Sequence, residues 1–127
     1  MIGYTTVGTN DLEKSSAFYD ALLGELGATR LMDMDTFKAW SNGDGAMFSV
    51  TMPFDQKEAT VGNGVMIAFA MPDTATVDKM HAKALELGAT DEGAPGPRGG
   101  EEEEGFYAGY FRDLDGNKLN FFYFPQP

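Results

Sequence analysis

Apolar residues recur at helical spacing in two stretches of the chain. In the first, Leu12, Phe18, Leu22, Leu23 and Leu26 mark one side of a helix expected over about Asp11 to Leu26. Asn10 is the expected N-cap, with Glu13 three residues on as a capping box requires, and Gly27 stands where a helix-ending glycine belongs. In the second, Val77, Met80, Ala84 and Leu85 give the stripe of a helix from about Thr74 to Leu87. Asp73 or Thr74 caps it and Gly88 stops it. Between and around the helices the pattern changes to alternation or to aromatic runs, which predicts strands. These fall at Gly3–Gly8, Thr29–Met34, Phe37–Ser41 and Ala46–Met52, then at Val65–Ala70, around Thr90, at Phe106–Arg112 and at Lys118–Phe124.

The two halves share more than their rhythm. Glu25-Leu26-Gly27-Ala28-Thr29 recurs letter for letter as Glu86-Leu87-Gly88-Ala89-Thr90. Similar turns, Asn42-Gly43-Asp44-Gly45 and Asp113-Leu114-Asp115-Gly116, come near the end of each half, and aligning on them sets Ser49 opposite Asn120. Each half therefore reads β-α-β-β-β. Module one covers about residues 1–54, a link about 55–63, and module two about 64–127. About 60 residues with one helix bury little core alone. The expected fold is thus α+β: a duplicated pair of modules, helices outside, with curved mixed sheets enclosing a cleft. That cleft is the default binding site.

Composition narrows the partners. Nine Lys+Arg against 20 Asp+Glu give a net charge of −11, with the cations scattered singly, so neither nucleic acid nor an anionic membrane is an expected partner. The run Glu101 to Glu104 reads as a solvated loop tip. The absence of cysteine removes disulfides, thiolate metal sites and a cysteine nucleophile together. No segment approaches the ~18–20 apolar residues of a membrane span. The first residues carry no basic, apolar leader pattern, so a cytoplasmic location is expected. The one histidine, His81, reads as a surface or half-buried helix residue. Asp33 and Asp35 read as solvent-facing, while Asp113 and Asp115 belong to the turn.

With NDLEKSSAFYDALLGELGA, HAKALELGA, DEGAPGPR and YAGYFRDLDGNKLNFF in order, the chain resembles the vicinal oxygen chelate superfamily of glyoxalases, bleomycin-resistance proteins and extradiol dioxygenases. The resemblance covers nearly the whole chain and implies a divalent metal held in the cleft by side chains at equivalent strand positions. Carried onto this sequence, those positions hold Tyr4, Ser49, Met66 and Asn120. Hard divalent ions prefer imidazole and carboxylate, so the family metal site reads as lost and no cofactor is expected. No base or nucleophile constellation replaces it, so whether the chain is an enzyme stays open.

Alternation along the strands then suggests a cleft lined by Tyr4, Trp40, Ser49, Met66, Tyr107, Tyr110, Asn120 and Phe122, suited to a planar or apolar small molecule. Arg98, in a glycine-rich loop, has two readings: a solvated residue, or a cation bordering the cleft that receives a carboxylate or phosphate. The leading expectation is a glyoxalase-like protein binding a small organic molecule. Two alternatives stand beside it: a lyase, isomerase or dioxygenase of the superfamily with atypical metal ligands, and a drug-sequestering protein of the bleomycin-resistance type. Many family members form dimers, and a homodimer is expected here.

Overall fold

The computed structural model describes residues 1–99 and 105–125, so the acidic run Glu101 to Glu104 lies outside the described residues. The elements come in the order β1 (Tyr4–Gly8), α1 (Leu12–Gly24), β2 (Thr29–Asp33), β3 (Phe37–Ser41) and β4 (Met47–Thr51), followed by β5 (Ile67–Ala70), α2 (Thr74–Glu86), β6 (Thr90–Pro97), β7 (Tyr107–Arg112) and β8 (Lys118–Tyr123). The chain forms two compact units, Met1–Gly62 and Asn63–Pro127. Each is a β-α-β-β-β module with a four-stranded mixed sheet, in the orders β1-β4-β3-β2 and β5-β8-β7-β6. In each sheet the first and last strands pair in parallel and the other pairs are antiparallel.

The helix ends follow local chemistry, with one correction. Asp11, not Asn10, caps α1: its backbone is extended and its carboxylate accepts from Lys14 N at 3.0 Å. Asn10 is engaged elsewhere, accepting from Ala59 N at 2.7 Å and donating to Ala59 O at 3.2 Å, which pins the end of the first unit. Asp73 caps α2 by accepting from Thr76 N at 2.7 Å. Both helices close on a glycine with positive φ, Gly27 at 76° and Gly88 at 109°, a conformation that glycine adopts without Cβ strain.

Each helix packs one face on its own sheet. Under α1, Phe18, Tyr19, Leu22 and Leu23 are buried together with Trp40, Phe48 and Val50. Tyr19 meets the Phe48 ring at 4.7 Å and the Trp40 ring at 5.8 Å. Under α2, Val77, Met80 and Ala84 are buried with Phe111, Leu119 and Phe121, and Phe121 stacks on Phe111 at 5.3 Å and on Phe69 at 5.5 Å. His81 is also buried, not at the surface. Its Nε2 sits 3.1 Å from Tyr110 O and 3.2 Å from Asp91 Oδ1, so the helix is tied to the sheet by a polar contact. Room for the ring comes from Gly109, where a Cβ would lie 3.0 Å from His81 Cδ2. Strand β6 continues to Pro97 through what reads as loop sequence, with register shifts on either side of Gly93.

Candidate functional site

The antiparallel register fixes which side chains share a face, because residues directly opposite in a ladder point the same way. In the first unit Ala39 pairs with Ser49, and Thr6 pairs with Ser49 across the parallel ladder. In the second, Tyr110 pairs with Asn120, and Ala68 with Asn120. Ser49 and Asn120 therefore occupy matching positions, on the sheet faces opposite those packed by the helices.

Their chemistry differs. Ser49 is fully buried and saturated: its hydroxyl lies 2.7 Å from Thr6 Oγ1 and donates to Thr5 O at 2.6 Å. Asn120 is 1% exposed, and among the described residues its Oδ1 has no hydrogen-bond partner. A buried acceptor left unmade costs about 1–3 kcal/mol, so it marks where a donor from outside the sheet is wanted.

The residues around Asn120 form a graded strip. Lys118, Asn120 and Phe122 alternate along one face of β8. Phe122 meets Phe106 at 5.9 Å, and Phe106 meets Phe124 at 5.7 Å, making an aromatic end. At the other end two cations approach one ring: Arg98 Cζ lies 5.5 Å and Lys118 Nζ 5.4 Å from the centre of Tyr110. Arg98 is fixed there by donating from Nε to Ala108 O at 3.3 Å and from Nη2 to Ala94 O. Arg98 was legible as a candidate, whereas Lys118 was not, since only the fold brings it onto Tyr110.

Two expected lining residues lie elsewhere. Trp40 is 1% exposed beneath α1 and donates its indole N–H to Asp20 Oδ1 at 2.8 Å. Tyr107 points to α2, where its hydroxyl donates to Asp78 Oδ1 at 2.5 Å, and that carboxylate raises the phenol above its ordinary value. Strand parity is the reason: Trp40 pairs with Phe48 and Tyr107 with Tyr123, both on the helix sides. The match to Trp40 in the second unit is Phe111. Tyr4 and Met66 are exposed, Tyr4 on the same side of its sheet as Thr6 and Met66 just ahead of β5.

As a metal ligand set these positions fit poorly. Ser49 has its hydrogen bonds made, Met66 offers a thioether, and Tyr4 and Asn120 offer neutral oxygens, whereas hard divalent ions select carboxylate and imidazole. Among the described residues no group of three or more His, Cys, Asp or Glu side chains is arranged to hold an ion. No helix of the described residues is long and apolar enough to cross a membrane.

The wider comparisons agree with this architecture. A model of the Glyoxalase/Bleomycin resistance protein/Dioxygenase superfamily matches residues 1–121. A crystal structure of a glyoxalase/bleomycin resistance protein from Albidiferax ferrireducens is 36% identical, with a TM-score of 0.87 over 98% of this chain and 99% of that one. At fold level, a glyoxalase/bleomycin resistance protein/dioxygenase family enzyme from Burkholderia phytofirmans is 20% identical, with a TM-score of 0.77 over 97% of this chain and 98% of that one. A lactoylglutathione lyase from Agrobacterium tumefaciens is also 20% identical, with a TM-score of 0.71 over 97% and 92%. No curated protein matches the chain. The duplicated β-α-β-β-β units, the family match across nearly the whole sequence and the 36% identical relative lead to one statement: the chain belongs to the glyoxalase/bleomycin resistance protein/dioxygenase superfamily.

Proposed function

We propose that this chain is a glyoxalase-like protein that binds a small organic molecule on the face of the second sheet carrying Tyr110, Asn120 and Phe122, without a metal ion. The observation that carries the reading is the buried Asn120 Oδ1 with no partner among the described residues, beside aromatic rings that suit a planar body. An N–H or O–H of the bound molecule supplies the missing donor. A lyase, isomerase or dioxygenase reading needs a Lewis acid or a poised base, and among the described residues no three His, Cys, Asp or Glu side chains gather to hold an ion. A drug-sequestering role is the same proposal with a larger ligand. The proposal includes a homodimer, in which a second copy covers exposed apolar residues such as Leu31, Met34 and Phe54; sedimentation velocity checks it.

The test pairs ligand capture with metal analysis. Native mass spectrometry of the gently purified protein, and thermal-shift screening against planar small molecules, should find a ligand that stabilises the wild type and not Asn120→Leu. Incubation with zinc, nickel or manganese should leave no stoichiometric ion after desalting. One retained equivalent of metal, together with chelator-sensitive turnover of a glutathione hemithioacetal, would overturn the proposal in favour of the enzyme reading.

A further inference from the structure

We infer, building on that reading, that the bound molecule is an oxyanion: its carboxylate or phosphate is received by Arg98 and Lys118 at Tyr110, while its planar body runs over Asn120 toward Phe122. In a chain with 20 acids and nine Lys+Arg, four of the cations are seen to pair with a carboxylate. Arg30 pairs with Asp20 and Asp33, Lys38 with Asp33, Lys83 with Glu86, and Arg112 with Glu92. Arg98 and Lys118 have no carboxylate partner among the described residues. Both approach one tyrosine ring, which puts two cations at the same end of the strip, where an anion is favoured.

The arrangement is held in place by backbone. Arg98 donates to the carbonyls of Ala108 and Ala94, which sets the guanidinium over Tyr110 and leaves its charge unneutralised among the described residues. The bare backbone of Gly93 makes the space: a Cβ there would lie 3.0 Å from Arg98 Nη2, 3.5 Å from Cζ and 3.6 Å from Tyr110 Cδ1. A planar guanidinium held on a ring is suited to carboxylate or phosphate oxygens. Along β8 the Cα atoms of Lys118 and Phe122 are about 13 Å apart, with Asn120 midway. The strip thus offers, in order, a positive end, a hydrogen-bond acceptor and an aromatic end, and a planar acid carrying a hydroxyl or N–H matches that sequence.

The experiment uses the full chain and three probes: 6-hydroxy-2-naphthoate, its methyl ester and 6-hydroxy-2-naphthyl phosphate, titrated by calorimetry. Wild type should bind the carboxylate, the phosphate or both about tenfold more tightly than the ester, and the better of the two acids identifies the oxyanion. The preference should weaken with added salt. Arg98→Ala with Lys118→Ala should erase it, Gly93→Ala should reduce it by displacing Arg98, and Lys57→Ala, a cation elsewhere, should leave it unchanged. Circular dichroism confirms that the variants fold. Equal binding of ester and acids, or a preference that survives loss of both cations, overturns the anionic inference and leaves the sheet-face binding proposal standing. No binding of any probe by wild type and Lys57→Ala, with no ligand found in the capture and thermal-shift screens, overturns both.

Discussion

The two units are copies of one topology whose polar positions have taken different chemistry. Counted back from Gly27 and Gly88, Asp20 and His81 hold the same helical position; counted forward, Arg30 and Asp91 hold the same strand position. In the first unit the acid is on the helix and the base on the strand, with Asp20 bonded to Arg30 at 2.7 Å and to Trp40 Nε1 at 2.8 Å. In the second the acid is on the strand, with Asp91 3.2 Å from His81 on the helix. Both pairs join helix to sheet, so this place in the fold takes an acid and a nitrogen base in either order. At Ser49 and Asn120 the difference is of another kind. One polar group is satisfied within its unit, while among the described residues the Oδ1 of the other has no partner, and that asymmetry is why the proposed site lies in the second half.

The helix-side cores should show the largest effect. Trp40→Ala and Phe111→Ala, at matching positions, should each lose about 3–5 kcal/mol in urea titrations followed by circular dichroism. The tryptophan variant should lose more, since it also takes the N–H from Asp20. Trp40→Phe isolates that bond and should cost about 1 kcal/mol. A loss at Phe111 well above the loss at Trp40 would break the equivalence of the two cores.

A crowding test comes next. Gly109→Ala places a Cβ 2.9 Å from Pro95 Cγ and 3.0 Å from His81 Cδ2, and should cost about 1–3 kcal/mol. In a His81→Ala background the added cost should shrink without vanishing, because Pro95 remains. An undiminished cost would show that the histidine is not what glycine makes room for.

How much of this was readable beforehand depends on the range of the interaction. Helix ends were legible because a cap and a glycine act within four residues, and even the Asn10 error was one position, decided by a contact with Ala59 49 residues away. Strand positions and the Ser49–Asn120 match followed from alternation and from the repeated turn. Trp40 and Tyr107 face the helices because ladder register sets the side of a strand residue, and that register depends on partners far along the chain. The length of β6 was hidden because Gly93, Pro95 and Gly96 carry turn chemistry inside a strand that survives by shifting register. Neither the missing partner of Asn120 nor the meeting of Lys118 with Tyr110 leaves a mark in a linear pattern; both arise from neighbours across strands.

The site asymmetry predicts changes of opposite sign. Ser49→Ala removes a hydroxyl bonded to Thr5 O and Thr6 Oγ1, and should destabilise by about 1 kcal/mol. Asn120→Leu removes a buried acceptor with no partner among the described residues and should stabilise by about 1 kcal/mol while abolishing ligand capture. Destabilisation of similar size by both would mean that Asn120 is satisfied within the fold, and the case for a site there would fall.

The smallest effect tests the Asp20–Arg30 pair by pH. Burial pushes the Asp20 carboxyl up, but hydrogen bonds from Arg30 and Trp40 and the Arg30 charge outweigh it, leaving the group below its ordinary value of 3.8. A carboxyl lowered in the folded state contributes stability that is present above its unfolded value and lost as pH falls through the folded one. Asp20→Asn keeps an acceptor for Trp40 but gives up the ion pair. With both partners partly exposed, it should cost a few tenths to about 1 kcal/mol near neutral pH. The gap between wild type and Asp20→Asn should stay level from about pH 5 to 8 and close below about pH 4. A gap that widened in acid for Asp20→Asn would reverse the sign and undo the assignment of Asp20 as the ionised member of its pair.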